Sequence, residues 1–289
     1  MKKYCRIAGV VALLGWHAVA SAQQKADAVS GMVEQPCPPP VQMPDSAREL
    51  LTDLFMRPHP LNATDFASLN GNDDFRQYLA AIQQMGNRDW PALCRFRADN
   101  ARLQTADTRP QLVFMGDSIT ENWLLGDSAL FDDNNINRGI GGQTTPQMLL
   151  RFRADVVALQ PRFVHILAGT NDVAGNTGPT TASDYQNNIM SMVELAKANN
   201  IAVLLGNIPP AATFSWQPSI DPVPRIRELN SWLREYAAEQ DLVYIDYYAA
   251  LAGSAGELRS ELGNDGVHPN RDGYTVMKHL LEQALARSK

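Results

Sequence analysis

Residues 112–118 read Leu-Val-Phe-Met-Gly-Asp-Ser, so that four apolar residues run directly into a glycine and two polar residues. An apolar run this short and this continuous is typical of a buried strand in a parallel sheet, which helices cover on both faces. Ligands of open α/β sheets bind just beyond the carboxyl ends of such strands. The stretch therefore places the hydroxyl of Ser118 where a nucleophile can meet a substrate.

From residue 111 onward, short apolar runs alternate with amphipathic stretches. Pro146 suits the first turn of one expected helix, and Ser183 with Asp184 suits the start of the next. This alternation predicts one doubly wound α/β domain, in which helices cover both faces of a five-stranded parallel sheet. The expected strands are 111–116, 134–138, 162–168, 201–207 and 242–246, and the expected helices are 146–158, 184–199, 224–240 and 271–286.

A serine hydroxyl needs a base, a group that orients the base, and donors for the oxyanion before it attacks an ester. Asp265 and His268 lie three residues apart, just before the last expected helix. At that spacing the carboxylate can hold one imidazole nitrogen while the other nitrogen takes the proton of Ser118. An isolated Asp-x-x-His is also common in plain surface loops, so this pair alone does not identify a site.

Two more loops follow expected strands. Asn171 comes after the strand over 162–168, where its amide can donate to an oxyanion, although a turn asparagine often bonds its own backbone instead. Asp172 fits such a turn role better than a catalytic one. Gly141 and Gly142 allow a sharp turn that aims a backbone N–H into the cleft, and an ordinary strand-to-helix turn is the alternative. The stretches are informative together, because each lies after an expected strand or before an expected helix.

These stretches resemble the four sequence blocks of the SGNH (GDSL-type) hydrolase superfamily in wording, order and rough spacing. The resemblance covers residues 110–286 and does not extend to 23–109. Residues 139–145 look similar to platelet-activating-factor acetylhydrolase-like members and to bacterial acyl-esterases. The matching blocks are Gly116–Ile119, in which Ile replaces the commoner Leu, Gly139–Gly142, Gly169–Asp172 and Asp265–His268.

The resemblance implies a three-layer α/β/α flavodoxin-like fold and ester hydrolysis without a metal or a cofactor. It implies that Ser118, Asp265 and His268 are the catalytic residues, and that attack by Ser118 on the acyl carbonyl gives an acyl-enzyme. The backbone N–H groups of Ser118 and Gly142 and the side chain of Asn171 would form the oxyanion hole. The sequence also shows no His/Cys/Asp cluster at metal-ligand spacing, which predicts that there is no metal site.

Other titratable side chains compete for the role of base. His165 lies inside an apolar strand and fits a core position, and Glu121 fits a solvated position at the start of the next helix. His59 lies in a proline-flanked loop, and His279 lies on the last expected helix. None of them has an acidic partner like that of His268.

The sequence defines the substrate less closely than the reaction. Trp123, Phe214 and Trp216 are candidate substrate-binding residues, with plain packing as an equal alternative. Export and exposed aromatic residues favour a short acyl group, such as acetyl on a carbohydrate. A lysophospholipase or thioesterase for longer acyl chains is the enzymatic alternative. A non-catalytic glycan-binding or envelope module is the alternative of another class.

The N-terminal part of the chain differs in composition from the rest. Residues 1–22 have a basic start, an apolar run and a small-x-small site, which predicts a signal peptide cleaved after Ala22. We therefore expect a periplasmic or secreted protein without a transmembrane anchor once the signal is removed. Residues 110–289 are the expected hydrolase domain, and 23–109 form an extension, Pro-rich and then helical, with expected helices at 45–57, 75–85 and 90–103.

Cysteine content and charge limit the environment and the partners. Cys37 and Cys94 remain after cleavage, and an even pair in an exported protein predicts a disulfide, with two buried thiols as the alternative. The 289-residue chain has a formal net charge of -6 and no basic stripe, which argues against a nucleic-acid partner. The expected partner is a small-molecule or glycan acyl ester, and the sequence does not define the oligomeric state.

Overall fold

The structure is a computed structural model that describes residues 33–288. The chain divides after Pro39 into two units, residues 1–39 and 40–289. Within the first unit, residues 33–39 contain neither helix nor strand. The expected signal peptide over 1–22 lies outside the described residues.

The second unit is built around five short strands. They are β1 (Leu112–Gly116), β2 (Asn135–Gly139), β3 (Phe163–Leu167), β4 (Ala202–Gly206) and β5 (Val243–Ile245). All neighbours pair in parallel, in the order β2-β1-β3-β4-β5. The five expected strands are thus confirmed, as is the parallel α/β class that their alternation with helices predicted.

Four helices precede the sheet within the described residues, and the other helices connect or follow its strands. The helices are α1 (Asp45–Met56), α2 (Ala63–Gly71), α3 (Asp73–Gly86), α4 (Arg97–Gln104), α5 (Ser118–Gly126), α6 (Thr145–Asp155), α7 (Thr170–Val173), α8 (Ala182–Ala198), α9 (Pro222–Glu239), α10 (Tyr247–Leu251) and α11 (Arg271–Arg287). The four long helices expected after the sheet begins correspond to α6, α8, α9 and α11.

Apolar side chains fill the space on both faces of the sheet. Val113 and Met115 of β1 belong to one buried cluster, which includes side chains of α6 and α8. Leu112 and Phe114 belong to the other cluster, which includes side chains of α5 and α11. Successive side chains of a strand point to opposite faces, so both sets must be apolar when both faces are covered.

The expected helix over 90–103 begins only at Arg97. The carboxylate of Asp89 accepts the backbone N–H groups of Leu93 and Cys94 at 2.9 and 2.7 Å. These bonds close a tight turn where the sequence pattern predicted the N-cap of a helix. A carboxylate that caps a helix also accepts backbone N–H groups close after it, so the sequence signal for the two structures is similar.

The N-terminal helices pack on the sheet domain through a polar anchor as well as through apolar contacts. The amide nitrogen of Asn264 lies 2.8, 3.0 and 2.9 Å from the carbonyl oxygens of Leu54, Phe55 and Arg57. These carbonyls end α1, where the helix itself leaves them without partners. The anchor therefore holds the end of α1 against the loop that follows Asn264.

The state of the cysteines bears on where the protein folds. Cys37 and Cys94 are both disulfide-bonded. Structural disulfides persist mainly in proteins outside the cytoplasm, so this state is consistent with the expectation of export. Among residues 33–288, we find no helix with the length and apolar character needed to cross a bilayer.

Candidate active site

Ser118 lies where β1 gives way to α5. The side chain of Asp117 accepts the backbone N–H of Ile119 at 2.9 Å and caps the helix, so that Ser118 is its first residue. The chain passes from β1 to β2 on one side of β1 and then crosses to β3 on its other side, because β1 lies between them in the sheet. Such a switch point in the strand order is where open α/β sheets bind ligands.

Two glycines let the elements around Ser118 approach closely. A Cβ at position 139 would lie 2.2 Å from the backbone nitrogen of Glu121, and one at position 116 would lie 2.7 Å from the carbonyl oxygen of Leu167. Both distances are shorter than any van der Waals contact. Gly139 and Gly116 are therefore required for β2 and β3 to flank the start of α5.

The structure brings Ser118, His268 and Asp265 into one hydrogen-bonded relay. The Ser118 Oγ lies 2.8 Å from Nε2 of His268, and Nδ1 of the same ring lies 2.7 Å from Oδ2 of Asp265. These distances allow the imidazole to take the serine proton while the carboxylate holds the opposite nitrogen protonated. Ser118 and His268 are 150 residues apart in the chain, and the fold brings them into contact.

A tight turn explains why a three-residue spacing suits this pair. Oδ1 of Asp265 accepts the backbone N–H groups of Val267 and His268 at 2.9 and 2.7 Å, which leaves Oδ2 free for the imidazole. Gly266 adopts a left-handed φ of 82°, which glycine takes without strain. The carboxylate is thus fixed by the backbone before it orients the ring.

The environment sets the protonation of the pair. Burial lowers the pKa of His268, but the charge and hydrogen bond of Asp265 outweigh it, and the pKa is raised above 6.5. Burial raises the pKa of Asp265, but His268 and the backbone N–H groups lower it by more, so the pKa lies below its usual value. The carboxylate is therefore ionised near neutral pH, which favours the imidazolium that forms when the serine is deprotonated.

Gly142 and Asn171 line a cavity together with Ser118 and His268. Gly142 has a left-handed φ of 78°. The Nδ2 atom of Asn171 lies 3.1 Å from the carbonyl oxygen of Gln143 and 3.2 Å from Oδ2 of Asp117. The amide nitrogen is thus held beside Asp117, the residue that precedes Ser118.

Several residues that support this arrangement were not identified from the sequence. The fully buried guanidinium of Arg151 donates to the carbonyl oxygen of Gly116 at 3.1 Å and to Oε1 of Gln143 at 2.6 Å, and it pairs with Asp155 at 2.9 Å. It therefore ties the end of β1 to the loop that precedes α6. A charged residue on a predicted core face of a helix is the sequence signal that marks such a position.

Glu121 is not the solvated side chain that its position suggested. Its Oε2 accepts the backbone N–H of Gly141 at 2.7 Å, and its Oε1 pairs with Arg95 at 3.1 Å. These contacts hold the glycine loop beside Ser118. The expectation was wrong because Arg95 comes from the N-terminal region, whose position relative to α5 the sequence does not show.

Two further carboxyl groups, which follow β1 and β3 in the chain, are buried. Burial raises the pKa of Asp117 to about 6, and burial likewise raises the pKa of Asp172 to about 6. The carboxylate of Asp172 accepts the backbone N–H of Thr145 at 3.0 Å and so joins α7 to the start of α6. Asp172 thus links two segments that are distant in the chain, which the turn role expected for it did not include.

A cavity of about 630 Å³ opens beside Ser118 and His268. Leu51 and Phe55 of α1 form one part of its wall, and Leu124 of α5 forms another. The Phe55 ring stands edge-on to the His268 ring, with centroids 5.8 Å apart. The N-terminal helices therefore contribute directly to the site. The remaining lining residues are Pro40, Val41, Gln42, Met43, Arg48, Phe75, Tyr78, Leu79, Arg95, Glu121, Asn122, Leu125, Gly142, Asn171, Asn176 and Trp216.

The three aromatic residues proposed for substrate binding have different positions. Trp216 lines the cavity and is 41% exposed. Trp123 is fully buried and stacks on Tyr274 in the core, so it is not available to a substrate. Phe214 is also fully buried and stacks beneath Trp216 at 5.1 Å. The sequence places all three near strand ends but does not show which face of a helix or loop they occupy.

Two of the competing histidines, His165 and His279, have hydrogen-bond partners other than Ser118 and Asp265. His165 is fully buried on β3, where the hydroxyl of Tyr247 lies 3.0 Å from its Nε2. Burial lowers the pKa of His165 to about 3, so the ring is neutral. His279 lies on α11 and is hydrogen-bonded to Gln283. Within residues 33–288 no group of three His, Cys, Asp or Glu side chains is arranged to hold a metal ion.

The sequence model of the GDSL-like lipase/acylhydrolase family matches residues 114–276, which is more than half of the chain. The chain belongs to this family. All four sequence blocks and the Ser118, Asp265 and His268 relay fall within the matched range. The GDSL-like lipase/acylhydrolase family classes the protein with the carboxylic ester hydrolases.

Solved structures of other GDSL-like proteins share this fold. A candidate acylhydrolase of Bacteroides fragilis NCTC 9343 is 44% identical, with a TM-score of 0.66 over 69% of this chain and 98% of that one. A GDSL-like lipase of Bacteroides thetaiotaomicron VPI-5482 is 40% identical, with a TM-score of 0.66 over 69% and 99% of the two chains. The acetyl xylan esterase AlAXEase, at 23% identity and a TM-score of 0.51 over 60% and 98%, shares the fold alone.

Two curated relatives are similar to this chain over only part of their own length. The Bacillus subtilis lipoprotein YqeF is 37% identical over 73 residues, which are 24% of this chain and 30% of the relative. The Escherichia coli N-acylneuraminate cytidylyltransferase is 26% identical over 230 residues, which are 75% of this chain and 51% of the relative. Because the chain spans about a third to a half of these proteins, their names do not define its activity.

Proposed function

We propose that this protein is an exported serine esterase that hydrolyses carboxylic esters through an acyl-enzyme on Ser118. The observation that carries the proposal is the unbroken relay from Ser118 through His268 to Asp265. Residues 110–289 are the hydrolase domain in this proposal. A glycan-binding or envelope module without activity has no physical need to hold a hydroxyl, an imidazole and a carboxylate in one line.

In the first half of the proposed reaction, the Ser118 oxygen attacks the acyl carbonyl carbon while Nε2 of His268 takes its proton. The ionised carboxylate of Asp265 stabilises the imidazolium that results. The imidazolium then gives the proton to the departing alcohol oxygen, and the acyl group remains on Ser118. In the second half, His268 deprotonates a water that attacks the acyl carbon, and the acid leaves as the serine recovers its proton.

The negative oxygen of each tetrahedral intermediate needs fixed donors. We assign this role to the backbone N–H groups of Ser118 and Gly142 and to the Nδ2 of Asn171. Each donor in such a hole contributes about 3 kcal/mol to lowering the barrier. The Gly142 loop is held in place by Glu121 through Gly141, which supports the assignment.

The first substrate candidate is a short acyl group, such as acetyl, on a bulky alcohol such as a carbohydrate. The partly exposed Trp216 at the cavity supports it, because an aromatic face suits a sugar ring. The apolar walls of the cavity favour a second candidate, a longer acyl chain. Leu51, Phe55 and Leu124 offer such a chain a surface that gives about 0.8 kcal/mol per buried methylene.

The test is hydrolysis of p-nitrophenyl esters of rising acyl length by the protein from Gln23 onward. We expect Ser118→Ala to reduce turnover by a factor on the order of 10^6. Ser128→Ala, in an exposed turn after α5, is the matched control and should retain wild-type turnover. A rate that is highest on acetate supports the first candidate, whereas a rate that grows with chain length supports the second. Absence of turnover on every ester would refute the proposal.

A further inference from the structure

We propose that Asn176 and Trp216 are positioning residues that orient the amide of Asn171 for the oxyanion. This inference rests on the proposed esterase function, since it concerns the same site. Neither residue belongs to the sequence blocks that mark the family, and neither touches the relay of Ser118, His268 and Asp265. In this proposal they act on the reaction through the side chain of Asn171.

The three side chains form a continuous hydrogen-bond chain. The indole Nε1–H of Trp216 donates to Oδ1 of Asn176 at 2.9 Å. The Nδ2 of Asn176 donates to Oδ1 of Asn171 at 2.6 Å. At the far end, Nδ2 of Asn171 points to Asp117 and the carbonyl oxygen of Gln143. Every link therefore has a donor facing an acceptor.

The indole gives this chain a single direction. An asparagine amide has nearly the same shape after its oxygen and nitrogen exchange places, so its orientation depends on its neighbours. The indole of Trp216 can only donate, which requires the oxygen of Asn176 to face it. The nitrogen of Asn176 must then face Asn171, and the nitrogen of Asn171 faces Asp117 and the carbonyl oxygen of Gln143. At the other end of the chain the carbonyl oxygen of Gln143 can only accept, so it favours the same direction of the amides.

Asn176 also reaches the second part of the proposed oxyanion hole. Its Nδ2 lies 3.4 Å from the carbonyl oxygen of Gly142, and its backbone N–H donates to the carbonyl oxygen of Asn171 at 3.1 Å. One side chain thus contacts both residues to which the oxyanion donors are assigned. Trp216 is held in turn by stacking on the buried ring of Phe214.

The chain should act on the transition state more than on substrate binding. Hydrogen bonds in a chain polarise one another, so the donors behind Asn171 strengthen its N–H when negative charge develops on the oxyanion. A neutral carbonyl oxygen in the bound ester gains much less. The expected signature is a lower kcat with little change in KM, because only an interaction made in the transition state is lost.

The test compares variants on the best p-nitrophenyl ester. Trp216→Phe keeps an aromatic ring on Phe214 but removes the N–H, and we expect kcat to fall about threefold to tenfold at nearly constant KM. Asn176→Ala should lower kcat about tenfold or more. Trp232→Phe is the matched control, because Trp232 stacks on Tyr236 in α9 and lies outside the cavity.

A double-mutant cycle separates positioning from plain structural support. In an Asn171→Ala background, Trp216→Phe should cause no further loss, because the amide that the indole orients through Asn176 is gone. Wild-type kcat in Trp216→Phe, or losses that multiply with Asn171→Ala, would overturn the inference. A raised KM in Trp216→Ala with a normal Trp216→Phe would assign the indole to substrate stacking instead. Failure of the wild type to hydrolyse any ester would overturn the proposed function itself, which is a different result.

Discussion

Replacing Asp265 by asparagine tests whether the relay works through the tautomer of His268. The side chain of Asp265 accepts from two backbone N–H groups through Oδ1 and from the imidazole through Oδ2. The introduced amide can keep its oxygen on the backbone, and its NH2 group then faces Nδ1 of His268. The ring must place its proton on Nε2, which becomes a donor toward Ser118 and no longer a base.

The size of the effect follows from this loss of the productive tautomer. Asparagine in the equivalent role of a serine protease lowers kcat about 10^4-fold, which corresponds to roughly 5 kcal/mol, and we expect a similar loss here. The pH profile provides a second signature. Asp265 holds the pKa of His268 above 6.5 against the opposing effect of burial. The wild-type kcat/KM should therefore reach half its maximum above pH 6.5, and Asp265→Asn should move that midpoint to lower pH.

The assay is kcat/KM for p-nitrophenyl acetate as a function of pH, with thermal unfolding as a check that each variant folds. Asp127→Asn is the matched control, because it removes a carboxylate that pairs with Lys278 at 2.6 Å on the surface. That variant should keep both the rate and the midpoint. A rate for Asp265→Asn within tenfold of the wild type, at an unchanged midpoint, would refute the tautomer argument.

Three other changes test supporting contacts. Glu121→Ala removes the acceptor of the Gly141 N–H, and it should lower kcat about tenfold because the Gly142 loop is released. Glu121→Gln keeps an acceptor oxygen and should keep most of the rate, and steady-state kinetics on one ester measures both variants. Trp123→Ala should cost about 3–5 kcal/mol in unfolding free energy, measured in urea, and leave KM unchanged, because the ring is wholly in the core. Burial raises the pKa of Asp117 from 3.8 to about 6, so the folded protein holds this proton more tightly than the unfolded chain does, and the free energy of unfolding falls as pH rises across this interval. Urea unfolding of Asp117→Asn should show a smaller decrease of that free energy over the same interval.

The sheet and its long helices could be predicted from the sequence because they depend on local patterns. Continuous apolar runs identify strands that are buried on both faces, as in β1. The helix α2 was missed, although Asn62 and Asp65 form a capping box at its start. Only Leu69 of this short helix is buried, so it has no apolar periodicity to reveal it. The helix α8 begins at the cap formed by Thr181, ahead of the expected Ser183.

Around the site, local sequence patterns identified the residues whose hydrogen-bond partners lie within a few positions in the chain. The turn that joins Asp265 to His268 is of this kind, and so is the cap by which Asp117 starts α5. The roles of Glu121, Asn176 and Arg151 depend on partners that lie far away in the chain. A solvated polar side chain and one that bonds a distant segment have the same local sequence context. Only the tertiary structure shows whether a partner lies beside the side chain.

The sequence by itself determined the parallel α/β class, the family and the residues that meet beyond the strands, since these follow from local periodicity and from short blocks of fixed chemistry. Only the tertiary structure decided the shape of the cavity and the direction of the amides in it. The N-terminal helices, which carry no recognisable motif, place Leu51 and Phe55 beside His268. The indole of Trp216 reaches Asn176 from another loop. Packing and hydrogen bonding between distant segments have no local sequence signature, because each partner is free to lie anywhere along the chain.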